Sequence, residues 1–176
     1  MTLDENNSLE TVCEVPSQPS GLGWLPNGDL LIVSMLDRKI LKFSQGSISV
    51  HADLSEYVAH KCNDMVVGRD GTAYVGNFGM GDAGESMNST HLMIVKSDGT
   101  VSKGPDNLLF PNGTVITEDG KNLIVAETLG AKLTSFDIED NGDLTNRKLW
   151  ARTSSLFSLL IIKFLSSLGF DLSKVD

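Results

Sequence analysis

The strongest constraint on this chain is a repeat. Three segments share one plan: a small polar lead-in residue, six residues, an (Asn/Asp)-Gly turn, then an apolar run. They are residues 20–34 (SGLGWLPNGDLLIVS), 63–77 (NDMVVGRDGTAYVGN) and 112–127 (NGTVITEDGKNLIVAE). The turns Asn27-Gly28, Asp70-Gly71 and Asp119-Gly120 recur at intervals of 43 and 49 residues, and each lead-in stands seven residues before its turn. An interval of about 40–50 residues holding several short strands is the mark of a β-propeller, in which each period folds into one blade.

Each period divides into four strands. In the first, residues 22–25 and 30–35 flank Pro26-Asn27-Gly28, a hairpin signal because Asn and Gly tolerate positive φ. Residues 39–44 and 47–52 follow across Gln45-Gly46. The second period gives strands over 65–67, 72–77, 91–96 and 100–103, interrupted by a Gly-, Asp- and Ser-rich insertion over 78–90. The third gives 113–117, 122–127, 132–138 and 143–150. The expected organisation is an N-terminal lead-in over 1–18, ending in a strand over 9–15, and a partial propeller of about three blades over 19–152. A divergent apolar tail over 153–176 completes it. The tail has no Asn-Gly or Asp-Gly where a fourth turn belongs. An altered splice or reading frame is the expected source of that stretch, with an improvised strand or a packing helix as the other readings.

Composition narrows the partners. The formal net charge of −9 leaves no basic stripe to neutralise phosphates, which argues against nucleic acid. The apolar run over 156–165 is shorter than the ~20 residues of a membrane helix, so no membrane partner is expected. The N-terminus MTLDENNSLE has neither a basic nor an apolar signal region, and the two cysteines, Cys13 and Cys62, have no metal-type spacing. Free thiols and a cytoplasmic location follow as expectations, which makes the sequons at Asn6, Asn88 and Asn112 chance matches.

Equivalent positions of successive blades converge on one channel. The lead-ins Ser20, Asn63 and Asn112 all bear oxygen, and Asp64 adds a carboxylate beside Asn63. Oxygen donors from several blades suit a hard divalent cation such as Ca²⁺ or Mg²⁺. The alternative is that these residues hydrogen-bond nearby backbone at a strand entry. Glu127 ends a strand, where a solvated carboxylate is expected rather than a channel-lining one. His51, His60 and His91 are dispersed, and no Gly-x-Ser-x-Gly elbow occurs.

The stretches GLGWLPNGDLLIVSMLDRKILKF, CNDMVVGRDGTAYVGNFG and FPNGTVITEDGKNLIVAET resemble the senescence-marker-protein/gluconolactonase (regucalcin-like, LRE-like) family over about residues 15–152. The resemblance implies a six-bladed propeller holding one divalent cation (Ca²⁺, with Zn²⁺ or Mg²⁺ as alternatives). It implies hydrolysis of a sugar lactone to a sugar acid, a carboxylic ester hydrolase activity. By position, Asn112 matches the family's metal-ligating Asn of Pro-Asn-Gly. Asn63 matches the Asn that approaches water or substrate, with Asp64 beside it as the candidate catalytic carboxylate.

Two departures follow. Ser20 stands where the family carries a metal-ligating Glu, and the late-blade Asp would lie beyond Arg152, in a blade this sequence does not show. The expectation is therefore an incomplete member of a lactonase family, weakly active or inactive alone, with pairing of two half-propellers as a further option. A non-catalytic binding scaffold and a strictosidine-synthase-like propeller are the alternative readings.

Overall fold

The structure is a computed structural model that describes residues 2, 3, 5, 7–81 and 88–153. The expectations for the tail over 154–176, and for the centre of the insertion, lie outside the described residues. Every element described is a strand. β1 (Thr2–Leu3) and β2 (Leu9–Glu10) form a small pair. The first blade is β3 (Pro19–Trp24), β4 (Leu30–Ser34), β5 (Lys39–Ser44) and β6 (Ser47–Asp53). The second is β7 (Cys62–Val67), β8 (Ala73–Asn77), β9 (Met93–Val95) and β10 (Val101–Lys103). The third is β11 (Pro111–Ile116), β12 (Asn122–Glu127), β13 (Lys132–Ile138) and β14 (Leu144–Arg152). Each blade is an antiparallel sheet with its strands in chain order. The strand expected over 9–15 shrinks to β2, because no described strand lies beside residues 11–15 to take up their ladder bonds.

The turns form for the reason their composition suggests. Gly28, Gly71 and Gly120 take φ of 88°, 85° and 75°, a region glycine enters without a Cβ penalty. The preceding Asn27, Asp70 and Asp119 each accept a bond from the backbone N–H two residues on, at 3.1, 3.0 and 3.1 Å. A short side chain thus satisfies a donor that the tight turn would leave bare.

Blades stack face to face. Successive side chains of a strand point to opposite faces, so β8, buried along its whole length, serves two cores. Val75 joins Met65, Met93 and Val95 against Leu31, Val33 and Ile40 of blade 1. Tyr74 joins Ile94 against Leu123, Val125 and Phe136 of blade 3. The buried Tyr74 hydroxyl donates to the Gly142 carbonyl at 3.0 Å, tying blade 2 to the outer turn of blade 3. The innermost strands β3, β7 and β11 lie side by side. A Cβ on Gly21 would stand 2.6 Å from the Met65 nitrogen and 2.9 Å from Asp64 backbone carbons. A Cβ on Gly23 would instead meet the Val67 side chain, which can turn away.

Gly21→Ala therefore forces backbone apart, at the overpacking scale of about 2–3 kcal/mol. Urea unfolding midpoints should show that loss, with a smaller one for Gly23→Ala; equal effects would place the close approach elsewhere.

Candidate functional site

All three innermost strands break register at the same place. Pro19 pairs with Ser34 and Leu22 with Ile32; Cys62 pairs with Asn77 and Met65 with Val75; Pro111 pairs with Glu127 and Thr114 with Val125. Each inner strand thus carries one extra residue, a β-bulge, which bends the strand and re-aims its side chains. The bulged pairs are Ser20 with Gly21, Asn63 with Asp64, and Asn112 with Gly113. The repeat positions singled out from sequence coincide with these bulges. The approach is equivalent too: Met35, Phe78 and Thr128 donate backbone bonds to the carbonyls of Gln18, Lys61 and Phe110 at 2.9, 3.0 and 3.1 Å. Gln18 and Phe110 take left-handed φ of 65° and 52° directly before proline, a conformation that residues with side chains seldom adopt.

The bulge residues differ in what remains free. Asn63 is 3% exposed. Its Nδ2 donates to the Pro111 carbonyl at 3.0 Å, and its Oδ1 accepts the Asp64 N–H at 2.7 Å. Gly76 leaves room for this latch, since a Cβ there would stand 2.5 Å from both Asn63 Oδ1 and the Pro111 carbonyl. A second lone pair on Oδ1 and the second hydrogen of Nδ2 are what the side chain has left for a ligand. Asp64 is half-buried; its Oδ1 accepts the Met65 N–H at 2.9 Å, and it borders a hollow of about 360 Å³ with Gly113, Val115 and Ala126. Ser20 is half-buried and Asn112 is exposed.

Opposite each residue that precedes a bulge sits a buried polar side chain, Ser34, Asn77 or Glu127. Glu127 is 2% exposed, so the expectation of a solvated strand end is corrected. Its carboxylate accepts the Leu109 N–H at 2.9 Å and the Thr134 hydroxyl at 2.5 Å, and faces Lys132 Nζ at 3.5 Å. These partners hold the segment that delivers Phe110, Pro111 and Asn112. Asn77 acts likewise around the insertion, donating to the His91 carbonyl at 2.8 Å and accepting from Thr90 at 2.6 Å and Gly79 at 3.2 Å. The rings of Phe78 and Phe110 meet between these two segments with centroids 4.8 Å apart. Sequence reasoning passed over Ser34 and Asn77 as functional supports. The signal was present, since each repeat window ends on one of these residues.

The remaining titratable groups limit the chemistry. Burial pushes the Cys62 thiol up to about 12, which keeps it protonated and unreactive at neutral pH. Burial also lowers His51 and His91; at His91 nearby Lys103 acts in the same direction, and the Nε2 is buried without a hydrogen-bond partner. Among the described residues no three His, Cys, Asp or Glu side chains cluster as a metal site. Among those residues, too, no helix is long and apolar enough to cross a membrane.

Three antiparallel four-stranded blades with aligned inner strands and oxygen-bearing bulges define part of a β-propeller. Residues 1–157 match the SMP-30/Gluconolactonase/LRE-like region, and the chain belongs to that family. It is similar to a structure described as a candidate gluconolactonase (TM-score 0.68, 17% identity, covering 87% of this chain and 56% of that one). It is also similar to a calcium-binding protein, regucalcin, from Agrobacterium tumefaciens (0.58, 20%, 77% and 45%). A streptogramin B lyase is a third neighbour (0.61, 19%, 81% and 43%). The chain spans about half the length of these proteins, and at such identities the likeness establishes the fold alone. No curated protein matches the chain.

Two outcomes are expected. Asn63→Ala removes the latch and leaves the buried Pro111 carbonyl unpaired, lowering stability by about 1–3 kcal/mol in chemical denaturation. His51 and His91 take up protons at lower pH in the folded chain than in the unfolded chain, where histidine titrates near pH 6.5. Their contribution is complete above that pH and is lost as pH falls through it. Melting temperature should be level above about pH 7 and decline below, less steeply in His91→Asn; an unchanged slope would exclude His91 as a source.

Proposed function

We propose that the chain contributes the metal-binding and substrate-orienting half of a lactonase-type site. The observation that carries this reading is the alignment of Ser20, Asn63 with Asp64, and Asn112 on equivalent bulges of adjacent inner strands. The donors fit a hard divalent cation in kind, because all are oxygens. They do not fill a shell of six or more, and the described residues add no acidic cluster. Asn112, exposed on the last described blade, and Ser20 would hold the ion, Ca²⁺ being favoured. When bound, such an ion polarises a lactone carbonyl and favours attack by water.

The chain's own residues would then divide the work. Asn63, held rigid by Pro111, presents the free lone pair of Oδ1 to a substrate hydroxyl. Asp64, with Oδ1 fixed by the Met65 N–H, keeps its other oxygen available to orient water and take its proton. With one carboxylate and a serine where a further carboxylate would tighten the ion, hydrolysis of sugar lactones by this chain alone is slow or absent. The second reading, a binding scaffold without catalysis, is favoured by the same shortage of charged ligands.

Thermal unfolding with and without millimolar Ca²⁺ tests the site. A ligand bound only by the folded chain adds about 2.7 kcal/mol at a hundredfold excess over its dissociation constant. The melting temperature should rise with Ca²⁺, and Asn112→Ala should abolish the rise. A melt indifferent to Ca²⁺, Mg²⁺ and Zn²⁺ would sink the metal reading, and rapid metal-dependent lactone hydrolysis would sink the claim of an incomplete site.

A further inference from the structure

The outer face of blade 1 is apolar across its whole width. The pairing registers align Leu22, Ile32, Leu41 and Val50 in one row. They align Trp24, Leu30, Phe43 and Ile48 in the next. Trp24 is 61% exposed, Val50 56%, Leu22 50% and Ile48 39%, whereas Ile32 and Leu41 at the centre of the first row are buried, at 2% and 9%. Single exposed apolar residues are ordinary, but Leu22 and Trp24 on the inner strand and Ile48 and Val50 on the outer strand expose both rims of two aligned apolar rows, and such grouping marks an interaction surface.

The same rows exist in blade 2 and are covered there. Met65, Val75 and Met93 repeat the first row, and Val67, Ala73, Val95 and Val101 repeat the second. Both pack onto blade 1. The open face of blade 1 therefore has the pattern of a face that sits on a preceding blade. At the other end, blade 3 presents the receiving pattern. Blade 1 receives blade 2 with Gly21, Gly23, Leu31 and Val33; the register equivalents in blade 3 are Gly113, Val115, Ile124 and Ala126. These four line the hollow beside Asp64. A Cβ on Gly21 would strike the Met65 nitrogen, whereas on Gly113 it would meet only Ala126, at 3.8 Å. Among the described residues nothing fills the place of a neighbouring inner strand there.

We propose that two copies of this chain close into one ring, with blade 1 of each copy seated on blade 3 of the other. Each copy carries one face of each kind, so a symmetric pair covers all four at once, the self-complementary closure of a two-fold dimer. The inference depends on blade faces and not on the lactonase chemistry, so either can fail without the other.

Sedimentation of the full 176-residue chain at about 50 µM, well above a micromolar dissociation constant, should give a species of twice 19.0 kDa. Trp24→Asp and Val115→Asp, each checked for a folded circular dichroism spectrum, should weaken the dimer at least about tenfold. Mixing the two variants restores one intact junction and should recover part of the dimer. A readout free of disruptive changes uses Trp150→Phe, which leaves Trp24 as the one tryptophan; its emission should shift to the blue as concentration rises. A monomer at 50 µM would overturn the proposal and leave these faces to another segment of the polypeptide or to a different partner. So would an open-ended ladder of oligomers, a dimer indifferent to both substitutions, or a Trp24 emission independent of concentration.

Discussion

A propeller blade is a sheet with two faces, and the fold depends on covering both. Only blade 2 meets that condition within the described chain. Its central strand β8 is buried from end to end, with Val75 committed to one core and Tyr74 to the other. Each of the two flanking blades has one face covered by blade 2. The close approach of inner strands follows from the same requirement. Gly21 and Gly76 are bare because neighbouring backbone, and in the second case the Asn63 latch, occupy the space a side chain would need.

The bulges add the second constraint. An extra residue in each inner strand breaks the ladder and exposes polar backbone at the end of the blade where strands converge. The chain answers with buried polar side chains across from the break, and Asn77 and Glu127 satisfy the loops that lead in and out. Glu127 is fully engaged by Leu109, Thr134 and Lys132 and serves to position the strand carrying Asn112. Scaffold and candidate site are thus built from the same few residues.

Much of this was legible in the sequence. The (Asn/Asp)-Gly turns fixed the hairpins, because the geometry they demand is local. The common spacing of lead-in and turn marked the inner strands, because the bulge recurs at the same offset in each blade. The burial of Glu127 was not legible. A carboxylate at a strand end looks solvated until the Leu109 N–H, 18 residues earlier in the chain and contributed by another segment, is brought against it by the fold. The consumption of the Asn63 amide was hidden for the same reason, since Pro111 belongs to the next blade. Hydrogen-bond partners across blades are a product of stacking, and no periodicity within one blade reports them.

Equivalence in the repeat is consequently equivalence of backbone, not of availability. Ser20, Asn63 and Asn112 occupy one position in three blades, yet each meets a different neighbour. Asn63 has a blade on either side; its Nδ2 donates to the Pro111 carbonyl of the next blade and its Oδ1 accepts the Asp64 N–H. Asn112 lies on the last described blade, and its side chain remains exposed. A repeated polar residue can act on a ligand only where stacking has not already claimed it. Within this chain that condition favours Asn112 and the unbonded oxygen of Asp64 over the more deeply buried Asn63, whatever ligand the channel takes.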